Sequence, residues 1–158
     1  MGLAGPATAA RGSYGSVPLA MENAQLHENG PHLLVVDDQP FFASFLREKF
    51  EERGYSVATV GDAHEALAVV REATGPLVVL LDLMLPRVSG HQLLRELARG
   101  PHASEIRVVL VSAHHTVETV AARHPMVVGR AQKPVDLGEL ARMVEVASRD
   151  LLAQTVAH

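Results

Sequence analysis

The sequence predicts an α/β protein: a five-stranded parallel sheet, doubly wound, with helices on both faces. Three observations predict it. Five short apolar runs recur along the chain, segments of 3.6-residue periodicity lie between them, and polar residues of matching chemistry stand at the ends of four runs. A continuous apolar run, as opposed to an alternating one, suits a strand buried on both faces, as in a parallel sheet covered by helices. Strands that alternate with helices make parallel crossovers, and right-handed crossovers lay the helices on both sides.

The chain divides near residue 31. Residues 1–30 are rich in Gly, Ala, Ser and Pro without periodicity and read as a disordered leader, within which Met21 is a second candidate start. Residues 31–153 form the folded domain, and 154–158 a tail. Strands are expected at His32–Asp37, Tyr55–Val60, Leu77–Asp82, Ile106–Ser112 and Met126–Ala131. Helices are expected at Phe41–Arg53, Ala63–Thr74, His91–Arg99, Thr116–Arg123 and Leu137–Leu152. Gly54 marks the end of the first helix and Gly75-Pro76 the end of the second, while Asp62 and Asp136 stand at N-cap positions.

Composition narrows the function. With 158 residues, 47% hydrophobic and 20% charged, the chain is long enough for one ordinary globular core. A formal net charge of -4 gives no basic footprint for nucleic acid. The absence of cysteine removes disulfides and thiolate metal sites and fits a cytoplasmic protein. No apolar run reaches the roughly 20 residues that span a bilayer, and no secretory signal opens the chain.

In an open parallel sheet, chemistry gathers beyond the carboxyl ends of the strands. Asp37-Asp38, Asp82, Ser112 and Lys133-Pro134 all stand at such ends, and the sheet would bring them together. Read alone, each has a plainer role, as a capping carboxylate, a turn hydroxyl or a surface lysine; their coincidence argues for a site. Asp82 ends the central strand, where a carboxylate can act as a nucleophile toward phosphorus. The acidic pair has no basic neighbour in sequence, so crowding three carboxylates calls for a cation, and all-oxygen ligation suits Mg²⁺. Lys133 and Ser112 would donate to phosphoryl oxygens. Pro86 and Gly90 fit the loop after Asp82, Gly90 freeing the backbone before the third helix. The nine histidines show no ligand-spaced pair.

The runs LLVVDDQP, LLDLMLPRVSG, VVLVSAH and QKPVD resemble, in order and spacing, the four motifs of the receiver domain of bacterial two-component response regulators, of the stand-alone chemotaxis-regulator-like type. The resemblance covers about His32 to Leu152. It implies a flavodoxin-like (βα)5 fold with strand order 2-1-3-4-5 and Asp82 as phosphoacceptor. It also implies a Mg²⁺ site of Asp37, Asp38, Asp82 and the backbone carbonyl of Met84. Ser112 and Lys133 would bind the phosphoryl group and switch, with a cis bond before Pro134. His114 matches a position that borders the phosphoryl group. Such a domain is a signalling module, not an enzyme in the ordinary sense; it catalyses its own phosphorylation and at most its own dephosphorylation. Its phosphodonor would be a histidine kinase or a histidine phosphotransfer protein. Its output would reach a target protein, or a second copy, through the fourth helix, fifth strand and fifth helix, with no direct contact to nucleic acid or membrane.

The chain departs from the family between Ser112 and Lys133. That stretch is short, Pro125 should end the fourth helix early, and Arg130 stands where the family commonly has a switching Tyr or Phe. Arg130 is therefore a signalling-face candidate, and a receiver-like scaffold that binds partners without phosphorylation is the alternative reading. An aspartate-nucleophile phosphatase is disfavoured, because Met84 occupies the place of a second acidic residue two positions after Asp82. On this reading no output module is expected after the fifth helix.

Overall fold

A computed structural model describes residues 32–113 and 123–157. The expected leader, His114, His115 and all but the last residue of the expected fourth helix lie outside the described residues. In chain order the elements are β1 (His32–Val36), α1 (Pro40–Glu51), β2 (Ser56–Val60), α2 (Ala63–Glu72), β3 (Leu77–Leu81), α3 (Gly90–Arg99), a short 3₁₀ turn (Ala103–Glu105), β4 (Ile106–Ser112), β5 (Val127–Gln132) and α4 (Leu137–Ala157). The five strands are parallel in the order β2-β1-β3-β4-β5.

Strand alternation divides the core in two. Leu34, Val36, Val79 and Leu81 pack with Ala66, Val69, Leu93 and Leu97 of α2 and α3. Leu33, Val35, Val78 and Leu80 pack on the opposite face with Leu46 and Phe50 of α1 and Leu140 and Val144 of α4. Every residue of β3 is buried, which explains why its sequence reads as an unbroken apolar run.

The helix boundaries follow from local chemistry. Asp62 accepts from the Glu65 N–H at 2.8 Å and Asp136 from the Glu139 N–H at 3.0 Å, so both are side-chain N-caps. Gly54, at φ +93°, stops α1: its N–H reaches Glu51 O at 3.0 Å and the Tyr55 N–H reaches Phe50 O at 3.1 Å. This pair of bonds is a Schellman stop, and the edge-to-face contact of Phe50 with Tyr55, centroids 5.6 Å apart, is its apolar clasp. The stop and Gly75-Pro76 end α1 and α2 two residues before the expected Arg53 and Thr74. The last helix, in contrast, continues past Leu152 to Ala157, because nothing in 153–157 breaks a helix.

The edge strand departs from simple alternation. Val108 pairs with Val127 but Val109 pairs with Gly129, so Val128 is an extra residue and β5 carries a bulge. Beyond it, Ala131 turns to the α4 face while Arg130 and Gln132 are exposed. A Cβ on Gly129 would lie 3.1 Å from Met143 Sδ, so α4 packs closely there. Among the described residues no helix is long and apolar enough to cross a membrane.

Candidate functional site

The sheet delivers the site residues at its carboxyl edge and fixes their backbones. Asp37 and Asp82 lie one residue beyond the strands expected to contain them, yet the ladder continues through both. The Asp37 N–H donates to Val60 O and the Asp82 N–H to Val36 O, each at 3.0 Å, and the Lys133 N–H donates to Ser112 O at 3.0 Å. Four loops therefore leave the sheet from neighbouring, hydrogen-bonded positions.

The side chains converge on Lys133. Its Nζ donates to Asp37 Oδ2 at 2.7 Å and to Asp82 Oδ2 at 3.1 Å. The remaining carboxylate oxygens are held by backbone: Asp37 Oδ1 accepts from the Gln39 N–H at 2.8 Å, and Asp82 Oδ1 from the Met84 N–H at 2.9 Å. Asp37 and Asp82 are buried, Ser112 fully so, while Asp38 is exposed at the mouth. Asp37, Asp38 and Asp82 each place an oxygen within 4.8 Å of the others. Three hard oxygen donors that close together, one open to water, fit a small divalent cation that keeps part of its hydration shell. Beside them opens a cleft of about 260 Å³, lined by Asp38, Pro40, Ser44, Thr59, Gly61 and Glu65 among others.

The acidic pair has no basic neighbour in sequence, but the fold supplies one from 96 residues away. Lys133 neutralises part of the charge on Asp37 and Asp82, so repulsion is not left to a cation alone. Burial nevertheless pushes the Asp37 carboxyl above its ordinary 3.8, against the hydrogen bonds from Lys133 and Gln39. For Lys133, burial is the largest single influence and lowers the pKa; its bonds to Asp37 and Asp82 together outweigh burial and raise it above 10.5. The ammonium is therefore firmly charged.

The loop after Asp82 shows why its residues are where they are. Gly90 has no left-handed φ; it is needed for space. A Cβ there would lie 2.6 Å from Leu83 Cα and 2.8 Å from Asp82 O, and its own N–H bonds Leu83 O at 3.0 Å. Pro86 opens a three-residue turn closed by Val88 N–H to Pro86 O at 2.7 Å, which drives Arg87 to φ +64°. Of Met84, the structure brings the backbone N–H to Asp82, while its side chain is exposed. The Lys133-Pro134 peptide bond is cis. Arg130 is an exposed residue of β5.

Two contributors were not visible as site residues in the sequence. Gln39 Oε1 accepts from Lys133 Nζ at 3.1 Å, and the Phe42 ring centroid lies 4.5 Å from the same nitrogen. Their one sequence signal is Pro40, which holds the preceding Gln39 in the extended region, at φ -91° and ψ 103°.

The comparisons with known proteins agree with this geometry. The model of the response regulator receiver domain matches residues 33–145. The chain is 35% identical over 118 residues to the DNA-binding response regulator MtrA of Mycolicibacterium smegmatis, covering 74% of this chain and 50% of MtrA. It is 34% identical over 93 residues to the transcriptional regulatory protein BaeR of Escherichia coli, covering 59% of this chain and 37% of BaeR. The chain thus spans half or less of these relatives. Among solved structures, a Francisella response regulator receiver domain superposes with a TM-score of 0.67 at 27% identity, over 76% of this chain and 98% of that one. The Thermotoga maritima response regulator TrrA, solved in complex with Mg²⁺-BeF, gives 0.66 at 24% identity, over 74% and 98%, and speaks for the fold. A five-stranded sheet in the order 2-1-3-4-5, an acidic cluster at its carboxyl edge and a family match over most of the described chain identify this protein as a member of the response regulator receiver domain family.

Proposed function

We propose that this receiver domain accepts a phosphoryl group on Asp82 from a phosphohistidine of a histidine kinase or histidine phosphotransfer protein, and so changes the surface it offers to a partner. The observation that carries the reading is the setting of the Asp82 carboxylate: buried, at the end of the central strand, with one oxygen on the Met84 N–H and the other toward Lys133. In the transfer, an Asp82 oxygen forms a bond to phosphorus as the bond from phosphorus to the imidazole nitrogen breaks. The electron pair of that bond stays with the imidazole. Lys133 and Ser112 donate to the phosphoryl oxygens. Asp37, Asp38, Asp82 and the Met84 carbonyl would hold Mg²⁺, which supplies positive charge against the crowded carboxylates and the phosphoryl oxygens.

Two further features support a protein donor and a surface output. Phe41 and Phe45, one turn apart at the start of α1 beside the acidic mouth, are 91% and 41% exposed and suit an apolar docking surface. Arg130 is exposed on the edge strand and presents five donors to a target protein or a second copy. The net charge of -4 keeps direct contact with nucleic acid out of this reading. Incubation with Mg²⁺ and acetyl phosphate, followed by intact-mass measurement, tests it. The wild type should gain one phosphoryl mass and Asp82→Asn none. A wild type that stays unmodified, from the small donor and from a histidine phosphotransfer protein alike, would leave the non-phosphorylated scaffold as the reading.

A further inference from the structure

The Lys133 ammonium has three N–H donors, and three oxygens receive them: Asp37 Oδ2 at 2.7 Å, Asp82 Oδ2 at 3.1 Å and Gln39 Oε1 at 3.1 Å. The Phe42 ring, 4.5 Å from the nitrogen, adds a cation–π contact. Two of these partners belong to the acidic cluster, and their charge and lone pairs are drawn on by other groups in the proposed chemistry. Asp37 Oδ2 has lone pairs that a bound cation would share. On phosphorylation Asp82 becomes an acyl phosphate: one oxygen bridges carbon and phosphorus, the other is a neutral carbonyl, and the carboxylate charge is lost. Gln39 is different: its amide oxygen is neutral, belongs to no member of the acidic cluster and is unchanged by either event.

Its position is also built. Pro40 holds the Gln39 backbone extended, and the Gln39 N–H is bonded to Asp37 Oδ1 at 2.8 Å, so the residue is anchored at both backbone and side chain. The Phe42 ring comes from the first turn of the helix that Pro40 starts. We infer that Gln39 is a positioning residue for the phosphoryl transfer proposed above: it holds the Lys133 ammonium in place while the carboxylates exchange partners, with Phe42 against it. The inference rests on that reading of Asp82, and it names one further determinant of the same site.

The chain has only two lysines, Lys49 and Lys133, which makes the test direct. The 158-residue chain labelled with ¹⁵N-lysine reports the Lys133 ammonium without ambiguity once Lys133→Arg has assigned it. The second readout is the rate of Mg²⁺-dependent phosphorylation by acetyl phosphate. Gln39→Ala and Gln39→Met should both lose the slow-exchanging Lys133 signal and slow phosphorylation about tenfold, the loss of one hydrogen bond to a charged donor. Gln39→Glu, which retains an acceptor, should keep the signal and restore the rate to within about threefold of wild type. Circular dichroism should show all three folded, and a purely structural role would instead be satisfied by the similar length of Met. If Gln39→Ala keeps both the ammonium signal and the rate of the wild type, or if Gln39→Met does, the inference is wrong. A wild type that accepts no phosphoryl group sinks the reading of Asp82 instead, while the ammonium signal still shows whether Gln39 holds Lys133.

Discussion

Gly90→Ala perturbs the candidate site without touching a charged residue. An added Cβ would meet Leu83 Cα at 2.6 Å and Asp82 O at 2.8 Å, both backbone atoms that no rotamer change can move aside. Ordinary contact begins near 3.4 Å, so α3 and the loop after β3 must separate by roughly 0.8 Å, an overpacking strain of about 1–3 kcal/mol. Alanine's better helix propensity offsets at most about 1 kcal/mol of this at the first residue of α3. For a domain of this size the net loss lowers the Tm on the order of 5 °C. The displaced atoms include the Asp82 carbonyl and the Leu83 backbone beside Met84, whose N–H orients Asp82 Oδ1. The Mg²⁺-dependent phosphorylation rate should therefore fall more than stability alone explains, when measured well below the Tm. Thermal melting by circular dichroism and mass-resolved phosphorylation kinetics read the two effects. Gly100→Ala is the control, since its added Cβ finds only ordinary contacts at 3.5 and 3.6 Å. A Gly90→Ala protein with the Tm and phosphorylation rate of the wild type would refute the steric argument.

Asp38→Ala should remove most of the stabilisation by Mg²⁺, which in the wild type amounts to about 2.7 kcal/mol when Mg²⁺ is at 100 times its Kd; an unchanged Mg²⁺ shift in the melting temperature would sink the ligation. Because the folded Asp37 carboxyl titrates above its unfolded value near 3.8, the folded state binds the extra proton, and metal-free stability should fall as pH rises through that window. Mg²⁺ should then stabilise the protein at neutral pH and lose its effect below 3.8, and melting curves with and without the cation across this range check the sign. Arg87, at φ +64°, already bears the cost of about 1–2 kcal/mol that a side chain carries there, so Arg87→Gly should hold or raise stability in chemical denaturation and the β-branched Arg87→Val should lower it; equal stability of the two variants would show that the turn is unstrained. Arg130→Ala should weaken the phosphorylated protein's binding to its target, or its self-association, about tenfold while phosphorylation of Asp82 proceeds normally. Equal affinity of both proteins would make Arg130 an ordinary solvated residue.

Much of the fold and site is local in its signals, and that part is legible. Continuous apolar runs such as LVVLL mark doubly covered strands, and parallel strands put their carboxyl ends on one edge, so Asp37, Asp82, Ser112 and Lys133 had to be neighbours. Alternation of strand and helix does not order the strands; the order 2-1-3-4-5 came from the resemblance. The bulge at Val128 is silent because Val127 and Val128 are both apolar and either could face the core. Gly90 was legible as a required glycine for a different reason, since only the approach of α3 to Leu83 shows that it is space, and not conformational freedom, that the position needs. Gln39 and Phe42 were missed because their partner Lys133 lies 94 residues beyond Gln39, and no spacing rule links a helix's first turn to the end of a strand that distant.

The charge at the edge of the sheet ties these pieces together. Three carboxylates face one ammonium, so the cluster as built carries an excess of about two negative charges when all four groups are ionised. Lys133 bridges the two buried carboxylates and leaves the exposed Asp38 to face water. Such a site is folded but unsatisfied, because a further cation lowers its energy and an arriving phosphoryl group changes which oxygens the ammonium must serve. On the function proposed above, a lysine bound only to Asp37 and Asp82 would have no partner outside the cluster once Asp37 shares a cation and Asp82 carries the phosphoryl group. One that is also held by the Gln39 side-chain amide oxygen and the Phe42 ring has a reference at the start of α1, outside the acidic cluster. If Asp82 accepts a phosphoryl group as proposed, the start of α1 would keep Lys133 in place while the partners of its ammonium in the acidic cluster change.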